Sequence, residues 1–574
     1  MSGGEVAWWP VAAVVLTVCG TGLVALNQVR FTVQDADSMW YHLPMAAEYV
    51  RTGSIAPIDA IPLIARGYPG FRESILAFLS LPLGNEHLAL LGVVEFPLLA
   101  LAVYAVARSW GARGGLALAA GAYAVTTPIV LAALTTQGND LALAIAFALS
   151  ALFTSRWLAG AGRGDAVLAG LALGALAATK FSGPGYALAV VAVTAVQWGL
   201  RRCGGARGFA STTAAATLVA GPWYARNLLA FGNPFHPASI DFLGAHLFDG
   251  PLGPDYFAPT RLGWNLAPLL DSAHQFVDAH GPLVALIAIG PLLAAVGARC
   301  ARVGWRTVLV PVVLPTVLLV AFLHHPFSVP GFDAHVHRYL IAWSCCTAAA
   351  TVVGLTWLGP RLPVWDVALV ACVAVGLFGA TRFGALLLAL AAAATAAIGF
   401  APSRARLAAA GRRPPFLPFP AAALLLVLVP VAVALQQFRA GAQYDTDLGY
   451  RDAVSDRGWG PVCAFVHRNI AGKRVGIHGS IAFFPLLGEP FGNVVFVADD
   501  LQLRTRRKSA AEVADWAVAN RLDYLVCCVP RTGRTGAREF EFGESIAAAL
   551  VAAQPQRFAS VFSSRGAAVL QLRD

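Results

Sequence analysis

The groups with the most capacity for chemistry stand in one short stretch: Asp35, Asp37, Trp40, Tyr41, His42 and Pro44. They follow the first long apolar run, 7–26, by only a few residues. Two carboxylates, two aromatics, an imidazole and a helix-breaking proline therefore stand where the chain leaves an apolar layer. A carboxylate gains nothing from burial there and costs free energy if it enters lipid. The stretch predicts a polar site at a membrane face. Further acids, Glu73 and Asp140 (the latter beside Asn139), and the cations Lys180, Arg226 and Arg338 occur at the ends of apolar runs or in the gaps between them. Carboxylates can take up a proton, and fixed cations can hold an anion.

The elements that must position these groups are membrane spans. Of 574 residues, 57% are hydrophobic and 13% charged, with a mean hydropathy of +0.65. A soluble chain of this size needs more charge to cover its surface. Apolar runs fall at 7–26, 87–107, 115–133, 141–158, 165–179, 182–200, 209–226, 281–298, 306–323, 339–357, 364–380, 383–400 and 419–436. Most approach the roughly 17–25 residues that cross a bilayer, so an α-helical polytopic protein of about thirteen spans is expected. Arginines such as Arg108 and Arg113, Arg156 and Arg163, Arg201 and Arg207, and Arg299 and Arg302 fall in alternate gaps. The positive-inside rule makes those gaps cytoplasmic, the N-terminus inside and the C-terminus outside. Among the short turns only Arg382 lies on the other side.

The net charge of +10 is thereby a topology signal. No Lys/Arg tract is interleaved with aromatics, so no nucleic-acid partner is expected. The nine cysteines show no CxxC spacing, which predicts neither a disulfide framework nor a zinc site. The first run lacks a basic flank and a small-residue cleavage site, and it reads as a retained span rather than a signal peptide.

Two outer loops, 27–86 and 227–280, are long, and long loops in compact proteins are usually functional. Their Pro, Gly, aromatic and charged residues predict that they fold against each other. Within the first, patches at 45–50 and 74–79 have the spacing of short amphipathic helices. Residues 1–436 read as the membrane domain and 437–574 as a small extracytoplasmic α/β domain. In the latter, 473–478, 493–497 and 522–527 read as buried strands. Ser509 with Glu512 predicts a capped helix start, and 558–572 a hairpin. Gly476 to Ser480 reads as a plain strand-to-helix connection rather than a ligand turn.

With these elements in place, a resemblance emerges. Asp37-Ser-Met-Trp-Tyr41-His42-Leu-Pro44 resembles the D-x-x-x-Y-H-x-P signature in the first outer loop of GT-C superfamily membrane glycosyltransferases, which use polyprenyl-phosphate-linked sugars. Tyr68-Pro69 with Glu73 is similar to that loop's later Y-P-…-E element. Asn139-Asp140 resembles the N-D element before the fourth span, and Gly174 to Lys180 the G-x-x-x-x-T-K stretch. Trp223, Arg226 and Asn227 with Gly232-Asn233-Pro234 are similar to the W-x-x-R-N-…-G-N-P segment. These elements cover 37–234; later spans match in hydropathy alone. Within the superfamily the resemblance is to mannosyltransferases and aminoarabinose transferases.

The resemblance implies transfer of a sugar from a polyprenyl-phosphate donor to an extracytoplasmic acceptor. Phosphate is already a good leaving group. The protein must supply a base for the acceptor hydroxyl and cations for the charge growing on phosphate. A single displacement of this kind inverts the anomeric centre. Asp37, or Asp35, is expected as the base. Tyr41, His42, Glu73, Asn139, Asp140, Lys180, Arg226, His337 and Arg338 are expected to bind substrate, and Trp40, Tyr41 and Trp264 to stack on sugar. Plain alternatives exist. Asp37 and Asp140 can cap helices, and Lys180 and Arg226 can anchor span ends in headgroups. His324, His325, His335 and His337 leave a divalent metal possible, with no metal ligand set assigned and no cofactor certain. Alanine- and arginine-rich usage with little lysine points to a bacterial plasma (inner) membrane, with the active site facing outward. The rival functions are a secondary transporter, which would carry inverted repeats and broken midplane helices, and a ligase or polymerase of lipid-linked glycans.

Overall fold

The computed structural model describes residues 21–22, 25, 37–58, 61, 63–83, 91–134, 136–160, 162–201, 205–242, 245–253, 267, 273–281, 283–323 and 336–358. In the C-terminal part it describes 462, 465–466, 468–478, 484–487, 492–498, 509–528, 538–564 and 567–573. Asp35, Trp264, Asp333, His324, His325 and His335 lie outside the described residues. So do the expected spans 364–380, 383–400 and 419–436, and 7–26 apart from 21–22 and 25.

The first described element is a π-turn, Ser38–His42, running directly into helix α1, Leu43–Thr52, which stops at Gly53 with φ +62°. Then come α2 (Phe71–Leu83), α3 (Leu91–Ser109), α4 (Gly114–Thr126), α5 (Pro128–Leu134), α6 (Asp140–Leu158), α7 (Arg163–Thr179), α8 (Gly183–Arg201) and α9 (Gly205–Phe231). After a hairpin of β1 (Ile240–Phe242) and β2 (Ala245–Phe248) the chain forms α10 (Ala273–His280), α11 (Val284–Ala288), α12 (Gly290–Cys300), α13 (Trp305–Leu323) and α14 (Ile341–Leu358).

Among the described residues, α3, α6 and the stretch His337–Leu358 are long and apolar enough to cross a membrane, and α4 with α5 makes a fourth if counted together. The run 115–133 was expected as one span. It is bent by 60° instead, because Pro128 forces Thr127 to an extended ψ of 142°. The run 281–298 likewise divides into α11 and α12, with Pro at the start of α12. Leucines such as Leu188, Leu218 and Leu292 stand exposed on the outside of the bundle. Apolar side chains in that position suit a lipid surface.

Small residues let the helices approach closely. A Cβ on Gly170 would come within 2.3 Å of the Thr212 carbonyl oxygen, and one on Gly174 within 2.7 Å of that of Ala216. This small-xxx-small face seats α7 on α9. The last carbonyls of α7 then find donors elsewhere: the Tyr224 hydroxyl donates to Ala177 O at 2.7 Å and Asn139 Nδ2 to Thr179 O at 2.8 Å. The end of α7, and Lys180 after it, is thereby fixed.

The C-terminal part holds a five-stranded sheet of order β4-β3-β5-β7-β6, made of β3 (Arg474–His478), β4 (Val494–Val497), β5 (Tyr524–Cys528), β6 (Phe558–Ser564) and β7 (Ala567–Leu572). The first three strands are parallel, and β7 adds antiparallel to β5. Strands, hairpin and the Ser509–Glu512 capping box form where the sequence placed them. Helices Ala510–Ala519 and Arg538–Ala553 cover one face through Leu525, Cys527 and Leu570. The other face joins an apolar cluster with Val462, Val466, Leu486 and Leu487, and this cluster continues to Met39, Tyr41 and Met45. The turn Phe484–Leu487 thus bridges the sheet and the π-turn that begins at Ser38.

Candidate active site

Four charged side chains from four segments meet at one end of the bundle. Asp37 precedes the π-turn, Asp140 begins α6, Lys180 follows α7 and Arg338 lies in the 3₁₀ turn Val336–Leu340 ahead of α14. Arg338 Nη1 is 2.8 Å from Asp37 Oδ2, and its Nε is 3.8 Å from Asp140 Oδ2. Lys180 Nζ donates to Asp140 Oδ1. The Tyr339 ring lies beneath both cations, 4.6 Å from Lys180 Nζ and 5.3 Å from Arg338 Cζ. Acids and bases alternate, so the cluster is neutral as it stands.

Neither acid caps its helix. Asp37 and Asn139 occupy N-cap positions, yet neither side chain accepts a capping bond. Asp37 remains 24% exposed through its side chain, against 7% for Asp140. Asp37 is therefore the more accessible of the two acids. Burial pushes its carboxyl upward, but Arg338, His42 and Lys180 outweigh burial and hold it below the usual carboxylate range. Burial pulls the Lys180 ammonium down, and Asp140 opposes that pull.

A second layer lies beneath. His42 Nδ1 is hydrogen-bonded to Glu73 Oε1, and both side chains are enclosed. The Tyr41 ring packs 4.0 Å from His42 and edge-on to Tyr68 at 5.8 Å, and Tyr68 stacks on Phe181 at 5.6 Å. Trp40 and Tyr41 are buried. Their rings pack edge-on to each other at 5.2 Å and back the π-turn. Burial also drives the Tyr41 hydroxyl well above its ordinary value.

Arg226 and His337 have other company. Arg226 donates to Asn227 Oδ1, to Tyr68 O at 3.0 Å and to Ile55 O at 3.3 Å, while Asn227 Nδ2 donates to Gly67 O at 2.7 Å. These bonds tie the start of the second long loop to the first, so the two do fold against each other. His337 is buried against Phe276 and His280, with ring centroids 5.8 and 6.4 Å away. Among the described residues, no group of three or more metal-ligating side chains is placed to hold a metal.

Sequence reasoning passed over Arg72, Glu95, Gln137 and Ser38, which join the second layer. A lone acid within an apolar run, as Glu95 is in 87–107, is costly unless paired, and that signal was available.

The described fold is similar to that of one solved membrane protein, ArnT. ArnT from Cupriavidus metallidurans bound to undecaprenyl phosphate superposes with a TM-score of 0.59 at 15% identity, covering 99% of this chain and 98% of that one. The apo state of the same protein gives 0.61 at 15% identity, with the same coverage. The mycobacterial arabinofuranosyltransferase AftD gives 0.48 at 13% identity, over 100% of this chain and 40% of that one. No protein-family model matches the sequence, and no curated protein matches it either. The likeness is one of fold.

Proposed function

We propose that this chain is a membrane glycosyltransferase that moves a sugar from a polyprenyl-phosphate donor to an extracytoplasmic acceptor. The observation that carries the reading is the meeting of Asp37, Asp140, Lys180 and Arg338 at one end of the bundle. Support comes from a shared fold with ArnT, whose structure holds undecaprenyl phosphate. Lys180 and Arg338 are the phosphate contacts, Arg338 with the planar fork that suits two phosphate oxygens. Asp37 is the base that takes the acceptor hydroxyl proton in an inverting displacement. Asp140 holds Lys180 and steadies Arg338.

The pairing of Arg338 with Asp37 gives the order of events. While Arg338 holds Asp37, the carboxylate is a weak base. A donor phosphate competes for the same guanidinium. As Arg338 turns to phosphate, Asp37 loses its strongest counter-charge and gains basicity beside the anomeric carbon. In this reading His42 and Glu73 support the π-turn, and Arg226 anchors the loops rather than phosphate. Residues 437–574 form the extracytoplasmic unit that presents the acceptor, and the site faces out from a bacterial inner membrane.

Purified protein in nanodiscs, offered a panel of polyprenyl-phosphate sugars with candidate acceptors, tests the reading. Release of polyprenyl phosphate with single-sugar products is expected. Transfer of whole glycans would mark a ligase. Sugar crossing sealed vesicles without any bond broken would mark a transporter.

A further inference from the structure

Arg72 and Glu95 are enclosed, at 1% and 5% exposure, and neither takes part in the chemistry above. Arg72 enters from α2 and Glu95 from α3. The guanidinium grips the carboxylate with one edge of its fork, Nε donating to Oε1 at 2.7 Å and Nη2 to Oε2 at 3.1 Å. Its remaining edge reaches Gln137, a fully buried residue in the link between α5 and α6: Nη1 donates to the backbone oxygen at 2.5 Å and Nη2 faces Oε1 at 3.4 Å. On its other side the Gln137 backbone N–H donates to Ser38 Oγ at 2.7 Å.

Sequence adjacency gives this chain of bonds its meaning. Ser38 directly follows Asp37, and Gln137 stands three positions before Asp140. Peptide 137 therefore connects the two carboxylates that flank Arg338. Stability alone is a weak reason for the pair, because a buried ion pair can often be replaced by apolar side chains at no loss. Geometry is the stronger reason, because an apolar pair could not hold a backbone carbonyl.

We infer that Arg72, locked by Glu95, is a positioning residue that sets the separation of Asp37 and Asp140 through Gln137 and Ser38. The inference rests on the active site proposed above. Opening that separation leaves Arg338 able to reach one acid but not both, and the base no longer meets the acceptor at the required angle.

Two variants test it. Arg72→Met/Glu95→Leu removes both charges together, so neither is stranded in the interior, and Ser38→Ala removes the acceptor of the Gln137 backbone N–H. Both are expected to melt near the wild-type temperature. Each should lose about 10–100-fold in kcat with donor KM held within about threefold, the signature of a displaced reacting group rather than lost binding. Amide exchange at 136–140 should accelerate in both, while α6 beyond its first turn keeps its protection. Wild-type kcat in folded variants would overturn the inference, as would unchanged exchange at 136–140. If the double variant does not fold, Ser38→Ala decides alone. The exchange arm needs no turnover, so a protein inactive on every donor would count against the glycosyltransferase reading and leave this test standing.

Discussion

Arg338 and Arg72 each bridge a carboxylate to a neighbouring segment, and they differ in what surrounds them. Arg338 is 22% exposed through its side chain and shares itself between two acids, one at 2.8 Å and one at 3.8 Å. Arg72 is enclosed, and one edge of its fork is matched by both oxygens of one carboxylate. An exposed, divided ion pair is weak and can be exchanged for a ligand. A sealed, bidentate pair is costly to disturb. The first suits a group that changes partner during a reaction, and the second a group that must not move. One end of the bundle thus holds an open set of charges resting on a closed one.

The comparison can be broken at several points. The largest effect is expected at Asp37: Asp37→Asn should lower kcat by about 10²–10⁴-fold, the usual range for a lost general base. Melting temperature should barely change, because the lost pair is partly exposed. Removing a proposed phosphate contact, by Lys180→Met or Arg338→Gln, should cost about 10²–10³-fold in kcat. The same changes should weaken binding of polyprenyl phosphate, measured by competition. In the closed layer, Arg72→Met alone leaves Glu95 buried without its counter-charge and should destabilise by about 3–5 kcal/mol, read from thermal or denaturant unfolding. Leu486, buried in the turn that bridges the sheet and the π-turn, should cost about 2–5 kcal/mol as alanine. Ser509→Ala removes a helix cap far from the site and should cost only about 1 kcal/mol, with kcat unchanged.

The pH dependence separates the layers too. Asp37 is held below the usual carboxylate range, chiefly by Arg338 acting against burial. It stays ionised as pH falls, so the acid limb of kcat/KM in the wild type should lie below the ordinary carboxylate range. In Arg338→Gln burial acts without its main opponent, and the limb should move to higher pH. The stability due to the pair has the same sign: it is present above the unfolded carboxylate value and lost as pH falls through the folded one.

Much of this was legible in the sequence because it is written in local patterns. Apolar length gave α6 and α14 to within two residues and α3 to within four, and Ser509 with Glu512 gave the cap that forms. The motifs marked Asp37, Asp140 and Lys180, which the fold does bring together. What stayed hidden depends on distant pairing. Nothing near Arg226 says that its donors go to carbonyls of residues 55 and 68. Nothing near Arg72 says that Glu95 and Gln137 enclose it. The break at Thr127 could have been read from Pro128, but length alone favoured one continuous span.

The most direct test compares donor turnover in wild type and Asp37→Asn, with polyprenyl-phosphate binding measured on both. Sugar-dependent release of polyprenyl phosphate by the wild type is expected, together with undiminished lipid binding and at least about a hundredfold slower release in the variant. A folded Asp37→Asn protein that turns over at the wild-type rate would contradict Asp37 as the base, and with it the assignment of this charge cluster as the centre of reaction.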